Sequence, residues 1–217
     1  EPVAEAELVV LAGGPDLRAV AQAAWLPLVP RRGQATILGA DAASARLACV
    51  VSGRGYLTPA FEGRHLAGAT FDPVRDAVPA PPPSPSDEDD RRNLAALREV
   101  VPALFAAPAI LGRHAALRAT TVDHLPFAGP LPDHAAWIRD YAALRTGDLR
   151  NPFPPPTLHD GLAVLTGLGA RGFTTAPLCA ELLAAQVSGE PWPVPGPVAE
   201  ALHPGRTIIR DLKTRRA

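Results

Sequence analysis

Hydrophobic positions along the chain fall into short runs with two different textures. After Glu7, Leu8-Val9-Val10-Leu11-Ala12 is continuously apolar and ends in Gly13-Gly14. A run without alternation predicts a strand buried on both faces, as in a parallel sheet, whose neighbours come from elsewhere. Asp16 to Ala24 then reads as a short helix. From Val29 to about Thr70 the runs Arg31–Leu38, Arg46–Val51, Gly55–Thr58 and Arg64–Thr70 are strand-like and separated by Gly, Pro, Ser and Asp. That spacing predicts an antiparallel meander.

Five prolines between Val78 and Ser86 predict an extended surface link. Ser86-Asp87-Glu88-Asp89 opens a helix, with Ser86 as cap and the carboxylates as a solvated first turn. Leu94, Leu97, Val100, Val101 and Leu104 give it one apolar face. Leu111 to Thr121 reads as a strand, and Asp133 to Arg145 as a helix with Trp137, Tyr141 and Leu144 on one side. Pro152 to Pro156 marks a boundary. Leu162 to Thr166 is a strand, Gly167 to Gly172 a glycine-rich turn, and Pro177 to Ser188 a helix closed by Gly189. The tail from Pro191 is proline-rich and ends in Arg206, Arg210, Lys213, Arg215 and Arg216, a basic stretch suited either to an RNA backbone or to fraying in solvent.

Composition narrows the classes. The chain has 217 residues, 47% hydrophobic and 20% charged, enough apolar content for a packed core. A formal net charge of −1 argues against holding nucleic acid by bulk positive charge. No apolar run is long enough to span a membrane. No leader is visible, and the expected setting is cytoplasmic. Cys49 and Cys179 are too few for a disulfide framework. The six histidines show no ligand spacing, so no metal site is expected.

Gly167-Leu168-Gly169-Ala170-Arg171-Gly172 is a literal G-x-G-x-x-G between a predicted strand and helix. A dinucleotide fingerprint needs a second parallel strand about 20 residues on. Here Glu190-Pro191-Trp192-Pro193-Val194-Pro195 follows, which no central strand accommodates. The loop still offers backbone N–H groups at a helix start, and glycines that let a flat or anionic group approach, against the bland alternative of close strand–helix packing.

The segment from Thr166 to Ala184 resembles the C-terminal flavin motif of the D-amino-acid-oxidase-like FAD enzymes. Within that group it is most similar to the oxidoreductase modules of bifunctional tRNA wobble-uridine modification enzymes. Arg118-Ala119-Thr120-Thr121-Val122-Asp123-His124-Leu125-Pro126, Gly55 to Pro59, Arg32-Gly33-Gln34, and Ala201 to Arg206 with Arg210 match in the same order.

The resemblance implies a mixed α/β and α+β chain, the C-terminal part of such a fold. Residues 1–28 would be the trailing part of a first FAD-domain segment. Residues 29–150 would be an antiparallel substrate domain, and residues 151–217 the return to the FAD domain. A dinucleotide-binding segment and a methyltransferase module are expected upstream. The implied cofactor is FAD, approached by Gly13, Gly14, Gly33, Gln34, Gly167, Leu168, Gly169, Ala170, Gly172, Phe173 and Thr174. The implied substrate is tRNA, whose carboxymethylaminomethyl-uridine is oxidised to aminomethyl-uridine with loss of glyoxylate. Arg118 and Arg171 would bind the glycine-like carboxylate by paired hydrogen bonds. Tyr56 is a candidate polar contact or a buried strand tyrosine. Two other readings stay open: a glycine, sarcosine or D-amino-acid oxidase relative, and a non-catalytic truncated remnant.

Overall fold

The structure is a computed structural model, and it describes residues 4–74, 83–102, 108–148, 150 and 152–214. In chain order the elements are β1 (Val9–Leu11), β2 (Val29–Gly39), β3 (Val51–Ser52), β4 (Tyr56–Leu57), β5 (Arg64–Gly68), β6 (Asp72–Pro73), α1 (Asp87–Val100), β7 (Ile110–Thr120), β8 (Phe127–Pro132), α2 (His134–Asp140), β9 (Leu158–Thr166), α3 (Gly172–Ser188), α4 (Gly196–Leu202) and α5 (Gly205–Lys213). They form two compact units. Among the described residues, one unit takes 4–29 and everything from Arg118 onward. The second takes 30–74 and 83–117.

The first unit is built on a three-stranded sheet ordered β1-β9-β8. β1 runs parallel to β9, with Val9 opposite Leu162 and Leu11 opposite Val164, and β8 is antiparallel to β9. Strand alternation sends Phe127, Leu131 and Val164 to one face, where they meet Leu17, Leu26 and Leu28. Ala128 and Leu165 go to the other face, where Cys179 and Leu182 of α3 and Ala199 and Leu202 of α4 cover them. A third cluster joins Trp137 to Ile208 and Leu212 of α5, with Tyr141 and Leu144 against it. At α5 the ring of Trp137 fills the space beside Gly205 that any side chain would need.

The second unit is an antiparallel sheet ordered β3-β4-β5-β2-β6, with β7 also pairing β2. Helix α1 lies on it through Leu94, Leu97 and Val101, which meet Leu38, Leu57 and Ala67. Its N-terminal half is fixed by polar contacts. Ser86 caps α1, accepting from the Asp89 N–H at 3.1 Å. Asp90 is 2% exposed and accepts from the Thr36 hydroxyl (2.7 Å), the Gln34 amide (2.9 Å) and Arg113. Asp89 pairs with Arg32 at 2.6 Å. Burial alone would raise the Asp89 carboxyl, but Ser86 and Arg32 bonding outweighs it and holds it below its ordinary value.

Several expectations need correction. The run at β1 pairs parallel to β9 as expected, and within this chain Val9 is 46% and Val10 41% exposed. Residues 14–23 form two 3₁₀ turns rather than a helix, the first with a proline in its opening turn. Ser44–Arg46 is also a 3₁₀ turn, since Asp41 Oδ1 captures the Ala43 and Ser44 N–H groups. The acidic run is not simply solvated, because Asp89 and Asp90 face the sheet. Helix α3 begins at Gly172 and holds Pro177 in its second turn. The tail is two packed helices up to Lys213. Strand β8 was missed, since Pro130 and Pro132 argue against a strand but are tolerated at a sheet edge, here with a register shift between them. By contact, the units divide at Val29/Pro30 and at Leu117/Arg118. Residues 78–82 of the proline link, and Leu104, lie outside the described residues.

Replacing Asp90 by Ala takes one buried partner each from Thr36, Gln34 and Arg113, which keep Asn93, Ser86 and Asp87. It should lower the unfolding free energy of the second unit by about 3 kcal/mol in urea titrations. Glu99→Ala, which removes the exposed pair with Arg54, should cost under about 1 kcal/mol. Equal effects would overturn this account of the clamp.

Candidate functional site

In a parallel pair both chains leave the sheet at the same end, and that end is where open α/β sheets bind ligands. β1 leaves through Gly13-Gly14 and β9 through Gly167. The two exits touch: the Thr166 hydroxyl lies 3.5 Å from the Gly14 carbonyl oxygen. The structure therefore brings Gly13, Gly14 and the Gly167–Gly172 loop together within the first unit.

Each glycine does a different job. Gly14 has φ +65°, with nothing within 4 Å of where a side chain would start. Its constraint is conformational and leaves the backbone open to approach. Gly167 has φ +72°, and a Cβ there would sit 2.6 Å from Thr121 Cγ2 and 3.7 Å from Leu28 and Phe127. Gly169 is also left-handed, at φ +59°, with Thr120 Cγ2 beside it. Gly172 has ordinary helical angles and opens α3. The exit is thus a left-handed turn, a 3₁₀ turn over Gly169–Arg171, then a helix. Leu168 is half-buried in it, Ala170 and Arg171 are exposed, and Phe173 and Thr174 project fully or largely into solvent from the first turn of α3.

Arg118 is half-buried near the end of β7. Strand alternation puts it on the same face as Thr120, the residue beside Gly169. Arg171 lies in the loop itself, and its carbonyl accepts from the Thr175 hydroxyl at 3.0 Å. The remaining predicted residues belong to the second unit. Gly33 and Gln34 are buried in β2. The Gln34 side chain is spent on α1: its amide donates to Ser86 O and Asp90, and its oxygen accepts from the Ser86 N–H at 2.7 Å. Tyr56 pairs with Gly68 across β4 and β5, and its hydroxyl occupies the space a Gly68 side chain would need.

The sequence reading missed the group that organises this end of the first unit. Arg206, expected in a basic tail, is largely buried. Its guanidinium meets both oxygens of Asp123 at 3.0 Å and donates to the carbonyls of Leu125 (2.7 Å), Pro126 (3.0 Å) and Leu202 (3.1 Å). It also lies 4.2 Å from the centre of the Phe127 ring. Nothing local in the sequence signals a pair 83 residues apart. Burial pushes the Asp123 carboxyl up, but Arg206 outweighs it and holds the pKa at about 2. His203, stacked on Trp137 and accepting from the Gly205 N–H at Nδ1, is driven down to about 4 by burial and then by Arg206. Arg210, Lys213, Arg206, His203 and Trp137 line a groove of about 620 Å³ with Glu200. Asp123 and Asp211 pair with Arg210 there, so its charge is close to balanced. Among the described residues no His, Cys, Asp and Glu side chains gather as a metal site would need, and no helix is long and apolar enough to cross a membrane.

Gly167→Ala forces a side chain into a left-handed turn against Thr121 and should cost about 2 kcal/mol or more. Gly172→Ala meets only ordinary contacts at 3.7 Å and should be neutral or slightly stabilising. Thermal unfolding of the two variants checks the difference. A second expectation concerns pH. His203 is held neutral, with its folded pKa (about 4) below its ordinary 6.5. Its contribution is present above pH 6.5 and is lost as pH falls toward 4, up to about 3 kcal/mol. Asp123 adds a further loss between about pH 3.8 and 2. His203→Asn, which keeps an acceptor for Gly205, should flatten the unfolding midpoint between pH 6.5 and 4. An unchanged slope would rule out His203 as its source.

Comparison with known proteins places this geometry. The family described as DAO, FAD dependent oxidoreductase, matches residues 1–186. The tRNA 5-methylaminomethyl-2-thiouridine biosynthesis bifunctional protein MnmC of Pseudomonas fluorescens is 43% identical over 97% of this chain, and that of Chromobacterium violaceum 38% over 99%. The chain spans only about a third of these relatives, 32% and 33% of their lengths. Among solved structures, iminodiacetate oxidase from Chelativorans sp. BNC1 superposes with a TM-score of 0.65 at 22% identity, over 88% of this chain and 45% of that one. Glycine oxidase from Geobacillus kaustophilus gives 0.64, also at 22% identity, over 88% and 44%. These two show the fold alone. With left-handed glycines at the shared exit of a parallel strand pair and a family match over most of its length, the chain belongs to the DAO family of FAD-dependent oxidoreductases.

Proposed function

We propose that this chain forms the flavin-ring and substrate side of an enzyme that oxidises carboxymethylaminomethyl-uridine at the tRNA wobble position to aminomethyl-uridine. The observation that carries the reading is 43% identity over 97% of the chain to a bifunctional protein named for this modification. The first unit is the FAD side and the second the substrate side. The ADP-binding segment and a methyltransferase module belong to a longer product, and tRNA is the substrate, met in the cytoplasm.

The residues fit the cofactor. Gly14 leaves its backbone open, and Gly167 and Gly169 hold left-handed turns at the end of the parallel pair, where a flat group can approach the main chain. Gly13, Gly14, the loop from Gly167 to Gly172, Phe173 and Thr174 would hold it. When bound, the flavin supplies a two-electron acceptor.

The substrate fragment is a secondary amine between the uridine methylene and a glycine-like carboxylate. Loss of two electrons and two protons converts its N–CH₂ bond to C=N. Water adds to that carbon, the C–N bond breaks, and aminomethyl-uridine and glyoxylate part. The chain's own task is to orient the amine. Arg118 and Arg171 bind the carboxylate by charge-assisted pairs.

The test uses the full-length protein that carries this chain, loaded with FAD, on tRNA bearing carboxymethylaminomethyl-uridine. Glyoxylate and aminomethyl-uridine should appear in equal amounts. Arg118→Ala should lower kcat/KM by about 10–100-fold, the loss of about 1.5–3 kcal/mol expected for a charged hydrogen bond. Turnover of free sarcosine or glycine as fast as the tRNA would overturn the reading.

A further inference from the structure

We propose that Arg206 is a positioning residue for the cofactor loop, fixing the wall of backbone against which Gly167 makes its left-handed turn. The proposal rests on the reading that this loop holds the flavin. The wall is the segment from Thr121 to Phe127. Thr121 Cγ2 and the Phe127 ring crowd Gly167, at 2.6 and 3.7 Å from its Cβ position, and Thr120 lies beside Gly169. Short bonds hold that segment. The Leu125 carbonyl accepts from the Thr121 hydroxyl at 2.8 Å and from Arg206 at 2.7 Å. The Leu125 N–H donates to Asp123, which Arg206 grips through both oxygens. The guanidinium also tethers Pro126 and rests over Phe127. One side chain from α5 thus reaches Thr121 through a single shared carbonyl, and Thr121 abuts Gly167.

This arrangement needs a planar fork rather than a positive charge. Two carboxylate oxygens and three carbonyls are served from fixed directions, which a lysine ammonium with three donors at one point cannot match. Arg206 has no expected contact with substrate or cofactor, so it acts through the turn.

The experiment compares wild type, Arg206→Lys and Asp123→Asn in the full-length protein, with Arg113→Lys in the second unit as a control for lost stability. Hydrogen exchange is read first on flavin-free protein. Arg206→Lys should speed exchange about tenfold or more in residues 121–127 and also in 167–172, with Asp123→Asn smaller in the same direction and the control unchanged in both. Unchanged exchange over 167–172 in both variants overturns the proposal. FAD is then added. Arg206→Lys should weaken its binding about tenfold and shift the flavin absorption bands, while the control keeps both. Faster loop exchange with native affinity and spectrum would also overturn it. A wild type that takes up no FAD would overturn the proposed function instead, and the exchange result alone would show whether Arg206 sets the loop. If Arg206→Lys does not fold, Asp123→Asn decides between these outcomes.

Discussion

The first unit depends on one guanidinium. Arg206 stands at the start of α5, yet its contacts are the Asp123 carboxylate, the carbonyls of Leu125, Pro126 and Leu202, and the face of Phe127. Carbonyls at a turn and at a helix end need donors, and Arg206 supplies them here. The same group closes α4 through Leu202, anchors α5, and shapes the turn into β8. Asp123 makes it tolerable to bury, since an unpaired charge in that position would be costly. The cluster of Trp137, Ile208 and Leu212 then packs behind it.

The second unit solves a comparable problem differently. A helix can be laid on a sheet by apolar contact alone, as Leu97 does against Leu38, Leu57 and Ala67. Apolar contact is non-directional and fixes neither rotation nor register. Asp89, Asp90 and Asn93 add directional bonds to Arg32, Gln34, Thr36 and Arg113, so α1 has one seat on the sheet.

Much of this was legible in sequence because it is local. Period and turn chemistry gave the antiparallel meander, the Ser86 cap and the left-handed Gly189 at the end of α3. The glycine loop was found because φ > 0 leaves a mark on residue choice. What was illegible is long-range or masked by a competing local signal. Asp90 looks like any first-turn acid until Thr36 and Arg113 arrive from other strands. Pro130 and Pro132 hide β8 because their tolerance depends on edge position, which no single segment reveals. Arg206 reads as tail charge because its partner lies far back along the chain, and nothing near Gln34 announces its bonds to Ser86 and Asp90.

The two edges of the three-stranded sheet are unlike. At β8, Pro130 and Pro132 have no N–H to offer, and a register shift bends the strand there. At β1, Val9 and Val10 are proline-free, apolar and substantially exposed. Growth of this sheet is therefore one-directional. Any further strand, whether from the same polypeptide, a second copy or an aggregating neighbour, has β1 as its template and is turned away at β8. An expression boundary drawn just before β1 would leave that template bare, so where the chain is cut governs how it behaves in solution.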